Sequence, residues 1–571
     1  MGTLACSEAT PPAPAPDAPD PPAAARDPRP NLLLVTLDTT RADALGAYGQ
    51  ERATTPALDA LAARGALFEA AYSASPSTLP SHATILTGLL PPGHGVRSNT
   101  GYALAPGDTT LAEILAERGY ATAAEVAAPV IGRRTGLDQG FAAYRDPDSP
   151  GAGIRRTPGA AALGERDASD VTRRALDFLR APRSRPFFLW LHYFDPHRPY
   201  APPAEARARV PDSAYHAEVR HVDDQLGRVF RELEQQGIAG RTLVVVTADH
   251  GEGLGEHDED THSVYVWDTT VRVPLIFAWP GEIPAGRRID GIARTADIVP
   301  TLLALLGLPE PPGLQGVSLA GALRGGAAPA LDAYGESLEP HALFGSSALR
   351  FLRRDRWKLV YKDPPELYDL ARDASEQTDR SGREPERVRE LAAALRDRVV
   401  RDARAAGEAR SDVDDATRAQ LEALGYAAVE PSADFDDVAD VARPRGPDPH
   451  RRTDDVRRFA EAGAALRGGR PEQALPILRA LAERNPQSPA IALLEVNAGA
   501  AAGIGAANLP AVRRAIALMP TEPEPYGHLA ETLAAEGDVD GAVAALDAAF
   551  AHAPCEPRLQ ALQSRILADA G

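Results

Sequence analysis

Three places in the sequence put metal-ligating side chains just past an apolar run of strand length. They are Asp38, then Asp195 with His197, then Asp249 with His250. Carboxylates and imidazoles delivered to one edge by separate strands suit a divalent cation. A lone strand-end Asp is ordinarily a cap or turn residue. Asp249-His250-Gly251, however, is followed by His257 and His262, and clustered Asp and His mark metal or catalytic sites. A second chemistry lies in the stretch Pro76-Ser77-Thr78-Leu79-Pro80-Ser81-His82. Pro80 suits a first helical turn and Gly88 a C-terminal stop, so the spacing predicts a short helix over 81–87 with Thr78 just before it. The free N–H groups and the dipole at such an end favour a tetrahedral oxyanion. A hydroxyl held there beside a metal can be ionised and used as a nucleophile. Taken alone, Ser77, Thr78 and Ser81 would be read as capping hydroxyls.

The elements that must position these groups are legible as well. Asn31–Leu37, Phe187–Leu191 and Leu243–Thr247 are near-continuous apolar runs, which suit strands buried on both faces. Amphipathic segments lie between them, such as Ala214–Gln236, which Gly237 ends. This alternation predicts an α/β domain with a mostly parallel sheet between helices, and sites beyond the carboxyl ends of its strands. Residues 350–370 read as short antiparallel strands of a small C-terminal subdomain. Residues 427–452 are rich in Pro and Asp and read as a linker. Beyond it Gly469, Gly503 and Gly537 recur every 34 residues, as do Pro486, Pro520 and Pro554, and Pro489, Pro523 and Pro557. Leu478, Val512 and Leu546 keep the same register. That period resembles tetratricopeptide repeats, one helical hairpin per repeat. The expected division is a tether over 1–30, a catalytic α/β domain over 31–345, a subdomain over 346–426, a linker over 427–452 and an all-α repeat domain over 453–571.

A chain of 571 residues is too long for one core. Its net charge of −19 argues against nucleic-acid binding, which needs a basic face. An anionic substrate needs a local cation to overcome that field. Lysine is nearly absent: only Lys358 and Lys362 occur. Cys6 and Cys555 are too few for a disulfide framework or a Cys-rich zinc site. No apolar run has the length of a membrane span. Thr3-Leu4-Ala5-Cys6 resembles the end of a bacterial lipoprotein signal without its apolar stretch, and a Pro/Ala-rich tether follows. The expectation is a periplasmic or extracytoplasmic protein with a lipid anchor as its one link to membrane; read from the start as given, the chain is cytoplasmic.

The whole set resembles the sulfatase family of the alkaline phosphatase superfamily. Val35-Thr-Leu-Asp38-Thr-Thr-Arg-Ala-Asp43 is similar to the family's N-terminal metal strand, and Thr247-Ala-Asp249-His250-Gly251 to its C-terminal metal motif. Thr78-Leu-Pro80-Ser81-His82, with Thr87-Gly88, resembles the signature Cys-x-Pro-Ser-Arg-x-x-x-x-Thr-Gly. Asp195-Pro-His197 resembles the strand end that brings a substrate-contacting His. The resemblance covers about residues 31–426 and implies one divalent metal (Ca, Mn or Zn) at Asp38, Thr39, Asp249, His250 and Thr78. Asp195, His197, His257 and His262 leave room for a second metal. Arg41 and Asp43 read as structural. The departures bear on chemistry. The family converts its signature Cys or Ser to formylglycine; Thr78 stands there, so no formylglycine is expected. The signature Arg is His82. The usual substrate-binding lysines are absent, and His262 stands at the later one. An unmodified Thr nucleophile resembles the nucleotide pyrophosphatase/phosphodiesterases and phosphoethanolamine transferases of the same superfamily. The expected roles are Thr78 as nucleophile, His197 or His262 as acid, and His82, Asn99 and His257 toward the substrate.

The leading reading is therefore a sulfatase-type hydrolase of a small anionic sulfate or phosphate ester. The alternatives are a phosphodiesterase, phosphonate hydrolase or phospho-headgroup transferase, and an inactive sulfatase-like protein that binds a protein or peptide partner through its repeats.

Overall fold

The computed structural model describes residues 27–52, 54–150, 152–155, 164–403, 437–553 and 556–569. Cys6, nearly all of the expected tether and the segment 404–436 lie outside them. Among the described residues no helix is long and apolar enough to cross a membrane.

Eight strands order the main sheet: β1 (Asn31–Leu37), β2 (Ala66–Tyr72), β3 (Ala121–Glu125), β4 (Ala143–Arg145), β5 (Phe187–Tyr193), β6 (Thr242–Ala248), β7 (Leu275–Ala278) and β8 (Arg287–Arg294). Their spatial order is β8-β2-β7-β6-β1-β5-β3-β4, and the two-residue strand Arg272–Val273 adds to β2. β7 runs antiparallel to both neighbours, β6 and β2, while β1 pairs in parallel with β5 and β6. Leu32, Leu33, Leu34 and Val35 are all fully buried. Successive strand residues face opposite sides, so both faces of the sheet are covered, and a continuous apolar run follows. The register decides the site. Leu37 pairs with Tyr193 of β5 and with Ala248 of β6. The residues that follow, Asp38, Phe194-Asp195 and Asp249, therefore leave the sheet at one edge.

A second, four-stranded antiparallel sheet joins Ala333–Ser337, Leu349–Arg354, Trp357–Tyr361 and Glu366–Asp369 in sequence order. Its first strand precedes residue 346, so this subdomain begins earlier than expected. The strand is short and follows loops, which hid it among small residues. Lys358 lies in this sheet and Lys362 follows its third strand, both fully buried. Lys358 pairs with Asp268 at 2.8 Å and Glu376 at 2.7 Å, and Lys362 with Glu366 and Asp448 at 2.9 Å each.

Residues 437–452 correct the linker expectation. Asp437–Ala442 is a helix whose Val441 is buried in the subdomain core, and Tyr361 donates to the Val441 carbonyl at 2.8 Å. Arg350 pairs with Asp440 at 2.5 Å, and His450 with Glu366 at 2.6 Å. Its Pro and Asp content reflects specific contacts with the subdomain, so it is a docked strap.

Helical pairs then follow: Thr453–Arg467 with Pro471–Arg484, Pro489–Ala501 with Leu509–Leu518, and Pro523–Ala535 with Val539–Phe550, closed by Pro557–Asp569. Gly469, Gly503 and Gly537 turn the chain between the helices of a pair at φ of +66, +66 and +84°, where only glycine is unstrained. Leu478, Val512 and Leu546 are fully buried. The repeats also share a core with the residues before them: Val456, Leu481 and Ile491 pack in one cluster with Tyr265, Trp267, Leu343 and Phe344.

Candidate active site

Thr78 opens the helix Thr78–Thr87, three residues earlier than predicted, and Gly88 ends it at φ +72°. Ser77 precedes it without a side-chain cap. Asn99 supplies that role from another segment: its Oδ1 accepts from the Leu79 N–H at 2.8 Å. The Asn99 Nδ2, buried, has no hydrogen-bond partner.

The Thr78 hydroxyl lies 3.2 Å from His250 Nε2. His250 Nδ1 lies 2.9 Å from the Gly251 carbonyl, which can only accept, so Nδ1 carries the proton. Burial holds this imidazole far below its ordinary pKa, hence neutral. Nε2 therefore presents a lone pair to Thr78, and the hydroxyl donates. Gly251 is required here: a Cβ would meet the Thr269 carbonyl oxygen at 2.0 Å.

Asp38, Asp249 and His250 each offer a ligand atom within 4.8 Å of the others, all fully buried. Asp38 Oδ1, Asp249 Oδ2 and Thr39 Oγ1 have no hydrogen-bond partner. Burial first, then the charge of Asp249, pushes the Asp38 carboxyl well above its usual range; burial does the same to Asp249. Fully buried carboxylate oxygens this close and without a hydrogen-bond partner fit a hard cation. Thr39 sits at φ +48°, a strained position for a β-branched residue. Tyr215 holds it there, donating to the Thr39 carbonyl at 2.8 Å and accepting from the Arg41 N–H at 3.0 Å. Arg41 pairs with Asp43 and Glu256, both at 2.7 Å.

His82 is turned away from where a substrate would lie. Its Nδ1 donates to the Thr78 carbonyl at 2.8 Å, and its Nε2 accepts from Thr36 at 3.0 Å, the same hydroxyl that accepts from Trp190. Burial lowers it to about 4, so it is neutral, with both nitrogens engaged. A residue one helical turn after Thr78 falls behind it, against Trp190 and His192. His257 is apart from the cluster as well: it stacks on Trp267 at 3.9 Å and bonds the Ser375 carbonyl at 2.9 Å. Asp195 joins Asp167 and His221 in a separate group.

His197 and His262 do reach the site. His262 packs against His250 at 4.5 Å between ring centroids and against His197 at 5.0 Å. His197 Nδ1 donates to the Arg198 carbonyl at 2.6 Å, and its ring stacks on Phe194. Behind His262 stands Glu252, 3.0 Å from Nδ1, whose other oxygen accepts from Tyr200 at 2.9 Å. Burial pushes the Glu252 carboxyl up to about 8. Sequence reasoning missed Glu252 and also His192, which accepts from the Ala127 N–H on Nδ1 and so donates through Nε2 to Asp38 Oδ2 at 3.3 Å. Its signal was weak: a single His ending an apolar strand.

Comparison with known proteins follows this geometry. A sulfatase family model matches residues 30–308, an N-sulphoglucosamine sulphohydrolase C-terminal model matches 255–405, and a tetratricopeptide repeat model matches 500–566. The N-acetylgalactosamine-6-sulfatase of Sus scrofa is 30% identical over 339 residues, half of this chain and 63% of that enzyme. An ulvan-active sulfatase of Formosa agariphila is 28% identical, over 51% of this chain and 64% of its own. The chain thus spans just under two thirds of the length of these relatives. Among solved structures, a 2-O GAG sulfatase shares the fold at TM-score 0.56 and 23% identity, covering 68% of this chain and 96% of its own. The phosphonate monoester hydrolase of Agrobacterium radiobacter matches at TM-score 0.54 and 25% identity, covering 66% and 96%. The sulfatase and sulphohydrolase models together take in residues 30–405, and the chain belongs to the sulfatase family.

Proposed function

We propose that this protein hydrolyses an anionic sulfate or phosphate ester, with unmodified Thr78 as the nucleophile. The observation that carries the reading is the Thr78 hydroxyl, at a helix N-terminus, donating to a neutral His250 beside two carboxylates that each keep one oxygen without a hydrogen-bond partner. Thr78 gives up its proton along that bond as Oγ1 attacks sulfur or phosphorus. The bond from that centre to the leaving oxygen breaks, and the proton taken by His250 passes to that oxygen through His262, whose ring packs against His250 and, like that of His197, is held neutral by burial. Glu252 fixes the His262 ring as the third member of a triad fixes its imidazole. Water then attacks the same centre, losing a proton through His262 to His250, which hands it to the departing Thr78 oxygen as the acid anion is released. The Asn99 Nδ2 amide, which has no partner, holds an anionic oxygen. Asp38, Thr39 and Asp249 would hold a divalent cation with Thr78 at its edge; His250, within reach of it, keeps its lone pair for the Thr78 proton. When bound, the cation supplies positive charge that favours the ionised hydroxyl and offsets the charge of the ester.

The similarity to a phosphonate monoester hydrolase, with Thr where the family carries the Cys or Ser that becomes formylglycine, favours phosphorus over sulfur as the centre attacked. Purified protein assayed on aryl sulfate, aryl phosphate and bis-aryl phosphodiester, with Ca²⁺, Mn²⁺ or Zn²⁺ added, tests both points. Thr78→Ala should lower turnover by about 10⁴-fold or more, and intact-mass analysis should find Thr78 unmodified. Retained turnover would show that another group attacks.

A further inference from the structure

Behind His262 runs a chain of side chains that ends on the helix Ala214–Gln235. His262 Nδ1 lies 3.0 Å from Glu252 Oε1, and the other Glu252 oxygen accepts from the Tyr200 hydroxyl at 2.9 Å. Glu252 is fully buried, and among the described residues its carboxylate is bonded to these two side chains alone. Burial, and then the charge of Glu252, hold the Tyr200 phenol far above its ordinary range, so it keeps its proton and donates. Tyr200 is in turn fixed by the helix. Its ring meets that of Tyr215 edge to face at 5.6 Å between centroids, and the next residue, Ala201, donates its N–H to Glu218 Oε1 at 2.8 Å. Tyr215 is also the residue that holds the Thr39 carbonyl. One helix therefore backs two limbs of the site: the turn that carries Asp38 and Thr39 and, through Tyr200 and Glu252, the ring of His262.

A carboxylate on one imidazole nitrogen fixes the tautomer and the ring plane only if the carboxylate itself cannot turn. Without the Tyr200 O–H, Glu252 Oε2 would be buried with no partner, a desolvation cost that turning the carboxylate relieves. We infer that Tyr200 is a positioning residue for His262: its hydroxyl locks the Glu252 carboxylate, which keeps the Nδ1 proton of His262 turned inward and leaves Nε2 to carry the proton between His250 and the leaving oxygen. The inference rests on the hydrolase reading for that role of His262. Proton delivery matters most when the leaving oxygen is basic and little when it departs readily as an anion. Tyr200 should thus govern which leaving groups the site can expel.

Tyr200→Phe keeps the ring and its contact with Tyr215 and removes only the hydroxyl. The full-length protein and this variant are compared on the phenyl and 4-nitrophenyl esters of sulfate and of phosphate, with a saturating divalent cation. On the phenyl ester kcat/KM should fall about tenfold, and the loss on the 4-nitrophenyl ester should be about fivefold smaller. Glu252→Gln should show the same dependence on leaving group, and the double variant should lose no more than the larger single loss, because both act through one ring. An equal loss on both esters, no loss on either, or losses that add in the double variant overturns the assignment. Crystal structures of the parent and Tyr200→Phe proteins test it without turnover: the His262 ring should rotate away from Glu252, and a ring left in place overturns it as well. Absence of turnover by the parent on every ester would instead count against the hydrolase reading alone.

Discussion

At the residue scale the site depends on which atom of each imidazole carries its proton. His250 offers a lone pair because the Gly251 carbonyl takes its N–H; His192 offers a proton because the Ala127 N–H occupies its other nitrogen. His192 touches no position a substrate would reach, yet it orients Asp38. Removing such an orienting partner ordinarily costs about 10–100-fold in metal affinity or activity. His192→Ala should weaken divalent-cation binding by that factor, measured by titration of the apoprotein, while the fold persists by circular dichroism. Asp249→Asn should abolish stoichiometric metal by elemental analysis; full metal content in this variant would remove Asp249 from the ligand set. His82 shows the limit of motif alignment. Its place in the signature suggested a substrate contact, but a helix turns about 100° per residue, and its ring is consumed by Thr36 and the Thr78 carbonyl.

At the scale of elements, the site is made by strand register and by sharp turns after the strands. Leu37, Tyr193 and Ala248 lie side by side, so the next residues of three strands meet without any loop having to span a distance. Past β6 the chain must bend at once, and Gly251 fits under the Thr269 carbonyl. Gly251→Ala should cost about 1–3 kcal/mol of stability by overpacking and displace His250 from Thr78, lowering activity more than the melting temperature alone explains. Denaturant unfolding beside steady-state kinetics would separate the two effects. Near-native activity in this variant would show that the turn tolerates a Cβ and does not set His250.

At the scale of the molecule, the strap 437–452 and the repeats are bound to the α/β region and its subdomain by buried charge and a shared apolar cluster. Glu366 is central to this joint. Burial alone would raise its carboxyl, but the hydrogen bond and charge of His450, with Lys362 beside it, outweigh that and hold it at about 2, below its ordinary 4.5. A carboxyl held down in the folded state stabilises it fully above the ordinary value, and that stabilisation is lost as pH falls from there through about 2. Glu366→Gln should therefore cost about 1.5–3 kcal/mol at pH 6, and the gap between variant and parent should close between about pH 4.5 and 2. Urea unfolding across that range measures it; a gap independent of pH would mean that the Glu366 charge does not hold the strap.

The sequence by itself determined the α/β class, the family, the repeat period and the nucleophile, metal-ligand and acid candidates Thr78, Asp38, Asp249, His250 and His262. These follow from local pattern: buried strands are continuous in apolar residues, ligands stand at strand ends, and a repeat must restate its turn glycine and core position. The tertiary structure decided what depends on approach between distant segments. It set His82 and His257 apart from the substrate side, brought His192 and Glu252 behind the ligands, and docked residues 437–452 as a strap. No periodicity encodes such neighbours, because burial and charge act through space while pattern is read along the backbone.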